Sequence, residues 1–294
     1  MARAARSIGS GLNTVGCEAL RFWPLLRASI TAAYRHNTFG IAKGAAYSAL
    51  LSFFPVLTTV TALLVQANAY AVSRSLSALV FQVVPPGTED IVLQIFTERG
   101  QQPVYLLILA ALLSVWAASG VMLSLMEGFR AAYGIPQGRS FLHGRGVAAL
   151  LVFCAALPVV IASALIVFGS RVEQWIFQTL GVLPRGQELR GWVSWAMELT
   201  RTGVAVGAIV AGTSLLYCIG PNPPRRLRSV LPGAFLATFF WWLTTTGFAW
   251  YVRNIANYNV LYGSVGATIA LLVWMYLLSV IALIGCEYNA QRCR

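Results

Sequence analysis

Six stretches of this chain run for 17 to 23 residues without a single Asp, Glu, Lys or Arg, and that feature leaves few folds open. A helix rises 1.5 Å per residue, so roughly 20 apolar residues cross the roughly 30 Å hydrocarbon core of a bilayer. The stretches are Gly44–Gln66, Val104–Met126, Val147–Gly169, Gly203–Ile219, Val230–Tyr251 and Tyr262–Ile284. Lipid offers no hydrogen bonds to an open backbone, so apolar segments of this length cross as helices. The pattern predicts an all-α, polytopic membrane bundle of six transmembrane helices. The shortest stretch, Gly203–Ile219, is rich in Gly and Thr and is the weakest of the six. Composition excludes the alternatives: only 10% of the 294 residues are charged, against about 25% in a soluble domain, and 58% hydrophobic content is incompatible with disorder.

The net charge of +12 suggests either nucleic acid or an uneven membrane topology. With six spans, one side holds the N-terminal segment, the 130–146 and 220–229 loops and the C-terminus. Fourteen of the 21 Lys+Arg but three of the nine Asp+Glu fall there, so that side sums to +11 and the other to +1. Basic residues beside span ends mark the cytoplasmic side, which predicts both termini in the cytoplasm and needs no nucleic acid. The predicted organisation is a cytoplasmic and interfacial segment over residues 1–40, a six-span domain over 41–290 and a short tail over 291–294. Residues 20–39 mix Phe22, Trp23, Leu25 and Leu26 with Arg21, Arg27 and Arg35, the composition of an amphipathic helix lying at an anionic interface. The outer loops, 67–103 and 170–202, exceed plain turns and are expected to carry short amphipathic helices. No cleavable leader is expected, because the first 40 residues lack an apolar core and a small-residue cleavage site. The five cysteines show no paired spacing and read as free thiols.

Ionisable groups at membrane depth are functional candidates by default. Lys43 opens the first span and shares a helical face with Tyr47, Phe54, Thr58 and Thr61, while Pro55 in the same span removes a backbone donor and predicts a kink. Glu127 closes the second span with Arg130 one turn on, and Glu287 and Asn289 follow the sixth. Lys43, Tyr47, Glu127, Arg130, Glu287 and Asn289 form either ion pairs that fix helix packing or a transport site for substrate or protons. Gly203, Gly207 and Ala211, with Gly263, Gly266 and Ala270, have the small-residue spacing that lets helices approach. At the outer end, Trp250, Tyr251, Tyr258 and Tyr262 suit an aromatic belt, and Arg253, Asn254, Asn257, Tyr258 and Asn259 are candidate contacts to a lipid headgroup. His36 and His143 sit in basic segments without an adjacent carboxylate, so no metal site, no cofactor and no enzymatic activity are expected. Neither a GxSxG elbow nor a P-loop is present.

Several motifs carry a resemblance. Ala46-Tyr47-Ser48-Ala49-Leu50-Leu51-Ser52-Phe53-Phe54-Pro55 resembles the "AYYALFSLFP" opening of the YihY/BrkB family of bacterial inner-membrane proteins, formerly labelled ribonuclease BN. Leu231-Pro232-Gly233-Ala234, Tyr262-Gly263-Ser264-Val265-Gly266-Ala267 and Gly285-Cys286-Glu287-Tyr288-Asn289-Ala290 are similar to its "LPGA", "YGSLGA" and "GAELNA", in the same order. The family's "EALN" reads Glu127-Gly128-Phe129-Arg130 here, so a role for its Asn does not pass to Arg130, whereas Glu127, Glu287 and Asn289 match. The resemblance implies a six-helix protein of the bacterial inner membrane. A nuclease would need an exposed basic groove with stacking aromatics, and these arginines lie in short loops that topology explains. The leading functional expectation is a transporter or flippase-like protein for an amphipathic envelope component, a lipid or glycolipid, with membrane lipids as its partners. The alternative is a non-transporting scaffold for envelope integrity. A reporter fused within residues 220–229 is expected to score cytoplasmic; a periplasmic signal would break the six-span topology.

Overall fold

The computed structural model describes residues 22–66, 104–136, 138–179, 191–254 and 264–292. A first helix, α1, covers residues 22–35, and six long helices follow: α2 (Thr38–Gln66), α3 (Val104–Ala132), α4 (Phe141–Thr179), α5 (Gly191–Ile219), α6 (Leu227–Asn254) and α7 (Ser264–Arg292). The first five each contain one of the uncharged stretches, and α7 contains the sixth from Ser264 onward. Every long helix packs on its neighbour in the chain, and α7 closes the ring by packing on α2 and touching α3. Alternation of direction puts the start of α2, the end of α3, the start of α4, the end of α5, the start of α6 and the end of α7 at one end. The described basic residues of the 11-charge surplus gather at this basic end.

Local chemistry sets the breaks. Asn37 adopts φ 55° between α1 and α2, a left-handed conformation that Asn tolerates, and a side chain on Gly40 would collide with the Asn37 amide at 2.6 Å. Helix α3 stops in a Schellman motif: Gly134 has φ 63°, its N–H donates to Ala131, and the Ile135 N–H reaches back to Arg130 at 3.0 Å, satisfying carbonyls that a helix end leaves open. Pro55 lies inside α2, which remains helical through it.

Five of the six long helices, α2, α3, α4, α5 and α7, are long and apolar enough to cross a membrane. The stretch Gly203–Ile219 proves to be the end of a 29-residue helix, because Trp195 and Leu199 extend its apolar run. The least apolar member is instead α6, with Thr238, Thr244, Thr245 and Thr246; it keeps its place in the ring and turns Phe235, Phe239 and Trp242 outward. The described flanks of the 170–202 loop are helical as continuations of α4 and α5, while residues 67–103 lie outside the described residues. An outward belt including Leu112, Trp116, Phe153, Leu157 and Phe239 is exposed, far beyond what water tolerates on a monomer. Cys154, Cys218 and Cys286 are free thiols.

The interior at the basic end is close-packed. Phe129 and Tyr217 meet edge to face at 5.4 Å, and the buried Tyr217 hydroxyl donates to the Ala282 carbonyl at 2.6 Å. Helices α6 and α7 cross at Gly233 and Gly285: a side chain on Gly285 would meet the Tyr217 hydroxyl at 2.5 Å and the Gly233 carbonyl at 2.8 Å. The small-residue spacing in α5 does not do this work, since side chains on Gly203 and Gly207 would meet nothing and Ala211 is exposed. Gly212 is the close-approach residue of α5, set against the Pro158 ring of α4 at 2.6 Å. In α7, Ala270 is buried.

Gly285→Val is therefore expected to destabilise the bundle by the roughly 1–3 kcal/mol of overpacking, seen as a lower thermal unfolding midpoint in detergent. Gly207→Ala, in open space and in helix, should leave it unchanged or raised.

Candidate functional site

The ring surrounds a partly open cavity of about 330 Å³ to which all six long helices contribute. Ala49, Leu125, Pro158, Gly212, Thr238 and Met275 represent them in order. Its few polar side chains are mostly committed to their own helices: Thr213 donates to the Ile209 carbonyl at 3.0 Å and Ser279 to that of Met275 at 2.8 Å. Such back-bonding is how a hydroxyl survives inside an apolar helix. Thr238 is buried with its Oγ1 unpartnered. None of the ionisable sequence candidates lines this cavity; the Tyr217 phenol, noted in the sequence only as part of a family-like Leu216-Tyr217 motif, does.

The candidates instead divide into three places. Lys43, Tyr47, Phe54 and Thr58 do share one face of α2, and that face is exposed on the outside of the bundle. The opposite face of α2 makes the seam with α3: buried Thr59 and Ser114 join hydroxyls at 2.8 Å, and Ser48 lies against Gly120.

Glu287 and Asn289 lie together at the buried end of α7. Asn289 is fully buried; its Oδ1 accepts the Gly233 N–H at 2.8 Å and its Nδ2 donates to the Val230 carbonyl at 2.9 Å. Pro232 lies between these two residues and lacks an N–H, so it weakens the helix ladder there; Asn289 supplies hydrogen bonds from the neighbouring helix. Glu287 is 1% exposed and its Oε1 meets His36 Nδ1 at 2.7 Å. This corrects the reading of His36 as a residue without a carboxylate partner. The two are 251 positions apart, a separation that sequence spacing cannot reveal. The contact ties the α1–α2 junction to α7, and Leu26 of α1 reinforces it by packing against Leu236 and Tyr288. The exposed side of α1 carries Phe22, Trp23, Ile30 and Tyr34, with the Arg27 guanidinium 5.2 Å from the Trp23 ring, an amphipathic surface suited to an interface.

Glu127 and Arg130 border a second, polar cavity of about 190 Å³ at the basic end, shared with Arg139 and Asn222. Arg139, counted in the sequence only toward the basic surplus, is a principal structural residue here. Its Nη1 donates to the Gly220 carbonyl at 2.7 Å, and its Nη2 to those of Ile219 and Pro221 at 2.8 and 3.0 Å. One guanidinium thus caps the end of α5, where carbonyls lack helical partners and the dipole favours a cation. Partial burial lowers the Arg139 pKa, yet a guanidinium stays charged at neutral pH. Nearby, Arg225 lies 4.3 Å over the Tyr133 ring, and Arg145 lies 4.0 Å over Trp116. At the far end, Trp250 and Tyr251 are exposed, as a belt requires. The side chains of Arg253 and Asn254, and all of Asn257, Tyr258 and Asn259, lie outside the described residues.

A family model described as virulence factor BrkB matches residues 29–294. The chain belongs to the BrkB family. Among BrkB-family relatives, a ribonuclease-like protein, YfkH of Bacillus subtilis, is 31% identical over 252 residues, covering 83% of this chain and 86% of its own length. A UPF0761 membrane protein of Chromohalobacter salexigens is 25% identical over 266 residues, covering 90% of this chain and 62% of its own length. Another, from Alkalilimnicola ehrlichii, is 25% identical over 247 residues, and the match covers 52% of it. The chain therefore spans little more than half the length of these last two. No solved structure matches. The ribonuclease label belongs to the relative's name. Among the described residues of this BrkB-family chain, no three of His, Cys, Asp and Glu converge as metal ligands.

Arg139→Ala should destabilise the fold by at least one charge-assisted hydrogen bond, roughly 1.5–3 kcal/mol, and so lower the unfolding midpoint in detergent. Arg139→Lys is expected to restore only part of it, since a lysine lacks the planar fork; full rescue would contradict the capping geometry.

Proposed function

We propose that this BrkB-family protein is a transporter or flippase-like protein of the bacterial inner membrane, with both termini cytoplasmic, and that its cargo is a lipid or glycolipid of the envelope. The observation that carries this reading is the central cavity. Empty apolar space costs roughly 24 cal/mol per Å³, so a cavity of about 330 Å³ favours an apolar occupant. Its volume falls within the roughly 300–1,000 Å³ of small-molecule sites, and its lining, with scattered hydroxyls and no free charge, suits acyl chain far better than a polar solute. A scaffold needs no such space. The polar groups of an amphipathic cargo would find their partners at the basic end, where Glu127, Arg130 and Arg139 lie.

The test is transfer of fluorescent lipids and glycolipids between leaflets of proteoliposomes. The wild type is expected to accelerate transfer, and Ala155→Phe, which fills the cavity from α4, should reduce the rate at least tenfold with the unfolding midpoint unchanged. If the folded wild type moves no candidate while Ala155→Phe still rescues a deletion strain, the scaffold reading takes its place.

A further inference from the structure

The cavity at the basic end has a charge pattern that selects among lipids. Glu127 and Arg130 border it from α3, one helical turn apart, and among the described residues neither makes an ion pair or a side-chain hydrogen bond. Arg139 also borders it, with its two Nη groups turned to the three carbonyls of Ile219, Gly220 and Pro221, so its charge is largely committed to the end of α5. What remains available is one guanidinium, one carboxylate and the Asn222 amide. At about 190 Å³ the space lies below the range of drug-sized pockets, so it admits a headgroup and not a whole lipid. Leu123 and Met126 form its apolar wall. Met126 packs with Ala148 and Leu151 into a cluster that Met122 and Leu216 also touch, and those last two line the central cavity. The two spaces are thus neighbours separated by one layer of side chains.

We infer that this cavity binds a phosphoethanolamine-type headgroup, its phosphate on Arg130 and Asn222 and its primary ammonium on Glu127. An anionic phosphate group prefers the planar guanidinium fork, but a glycerol headgroup spends its single charge there and leaves only neutral hydroxyls for Glu127, with no cation to offset the carboxylate. A choline headgroup carries the right charges, yet its quaternary nitrogen has no hydrogen to donate to Glu127, and no aromatic side chain lines the cavity to receive it as a cation–π cage. A primary ammonium meets both conditions. The inference rests on the lipid-handling reading only for its choice of a membrane lipid as the source of the headgroup; binding itself requires no transport.

The full chain, delipidated in detergent, is titrated with phosphatidylethanolamine, phosphatidylcholine and phosphatidylglycerol of identical acyl chains, and bound lipid is counted by native mass spectrometry. The ethanolamine lipid is expected to bind at least fivefold more tightly than either of the others. Arg130→Gln should weaken it about tenfold, and Glu127→Gln should erase the preference over phosphatidylglycerol. Free phosphoethanolamine competing with the lipid would show that the headgroup alone is recognised; competition by inorganic phosphate to the same extent would overturn the zwitterion assignment. Equal binding of all three lipids by the wild type, or a preference that survives both substitutions in folded protein, would likewise overturn it. Loss of lipid transfer in proteoliposomes with this binding intact would count against the transport reading alone.

Discussion

Asn289 holds the ring of helices closed. A bundle in lipid gains little from burying apolar surface, because the surroundings are as apolar as the interior, so close backbone approach and hydrogen bonds between helices decide which helices stay together. The crossing of α6 and α7 uses both: glycines 233 and 285 bring the backbones together, and Asn289 bonds to the backbone on either side of Pro232. The most polar of the six long helices is anchored at this point, and α7, once fixed there, can reach α2 and complete the circle. The central cavity exists only because the circle is complete.

The same economy governs the charges. The basic end does not spread its arginines evenly over a surface. Arg139 is spent on the end of α5, Arg225 and Arg145 lie over aromatic rings, and the Glu287 carboxylate is met by His36. Glu127 and Arg130 stand apart from this, facing open space with their charges uncommitted. An opposite pair without a partner, bordering a polar cavity, is where a polar ligand would gain most. The apolar cavity in the ring and the polar one at the basic end differ as the two parts of an amphipathic molecule do.

Much of this was legible in the residues. The uncharged runs placed all six long helices, because the length of apolar chain needed to cross lipid is set by the bilayer and not by any partner. The aromatic and basic residues of 20–39 predicted an amphipathic helix on composition alone, and the structure forms one over 22–35. Helical periodicity also grouped Lys43, Tyr47, Phe54 and Thr58 correctly on one face of α2, but periodicity does not say which side of a face is inside, and this one looks outward. The glycines of α5 misled for a related reason: small-residue spacing allows close approach only if a helix arrives, and at Gly203 and Gly207 none does.

What the sequence determined by itself was set by the solvent: the helix positions and the charge asymmetry between the two ends; the breaks at Asn37 and Gly134 are local in cause but came to light only in the structure. Only the tertiary structure decided which residues meet. His36 finds Glu287 across most of the chain, Arg139 caps a helix some 80 positions away, and Asn289 stitches α6 through residues 56 and 59 positions earlier. These are pairings between helices whose order around the ring follows from packing, and a spacing rule within one helix carries no information about its neighbour. The cavity is the extreme case, since it belongs to no segment of the chain and is bounded only when all six long helices are in place.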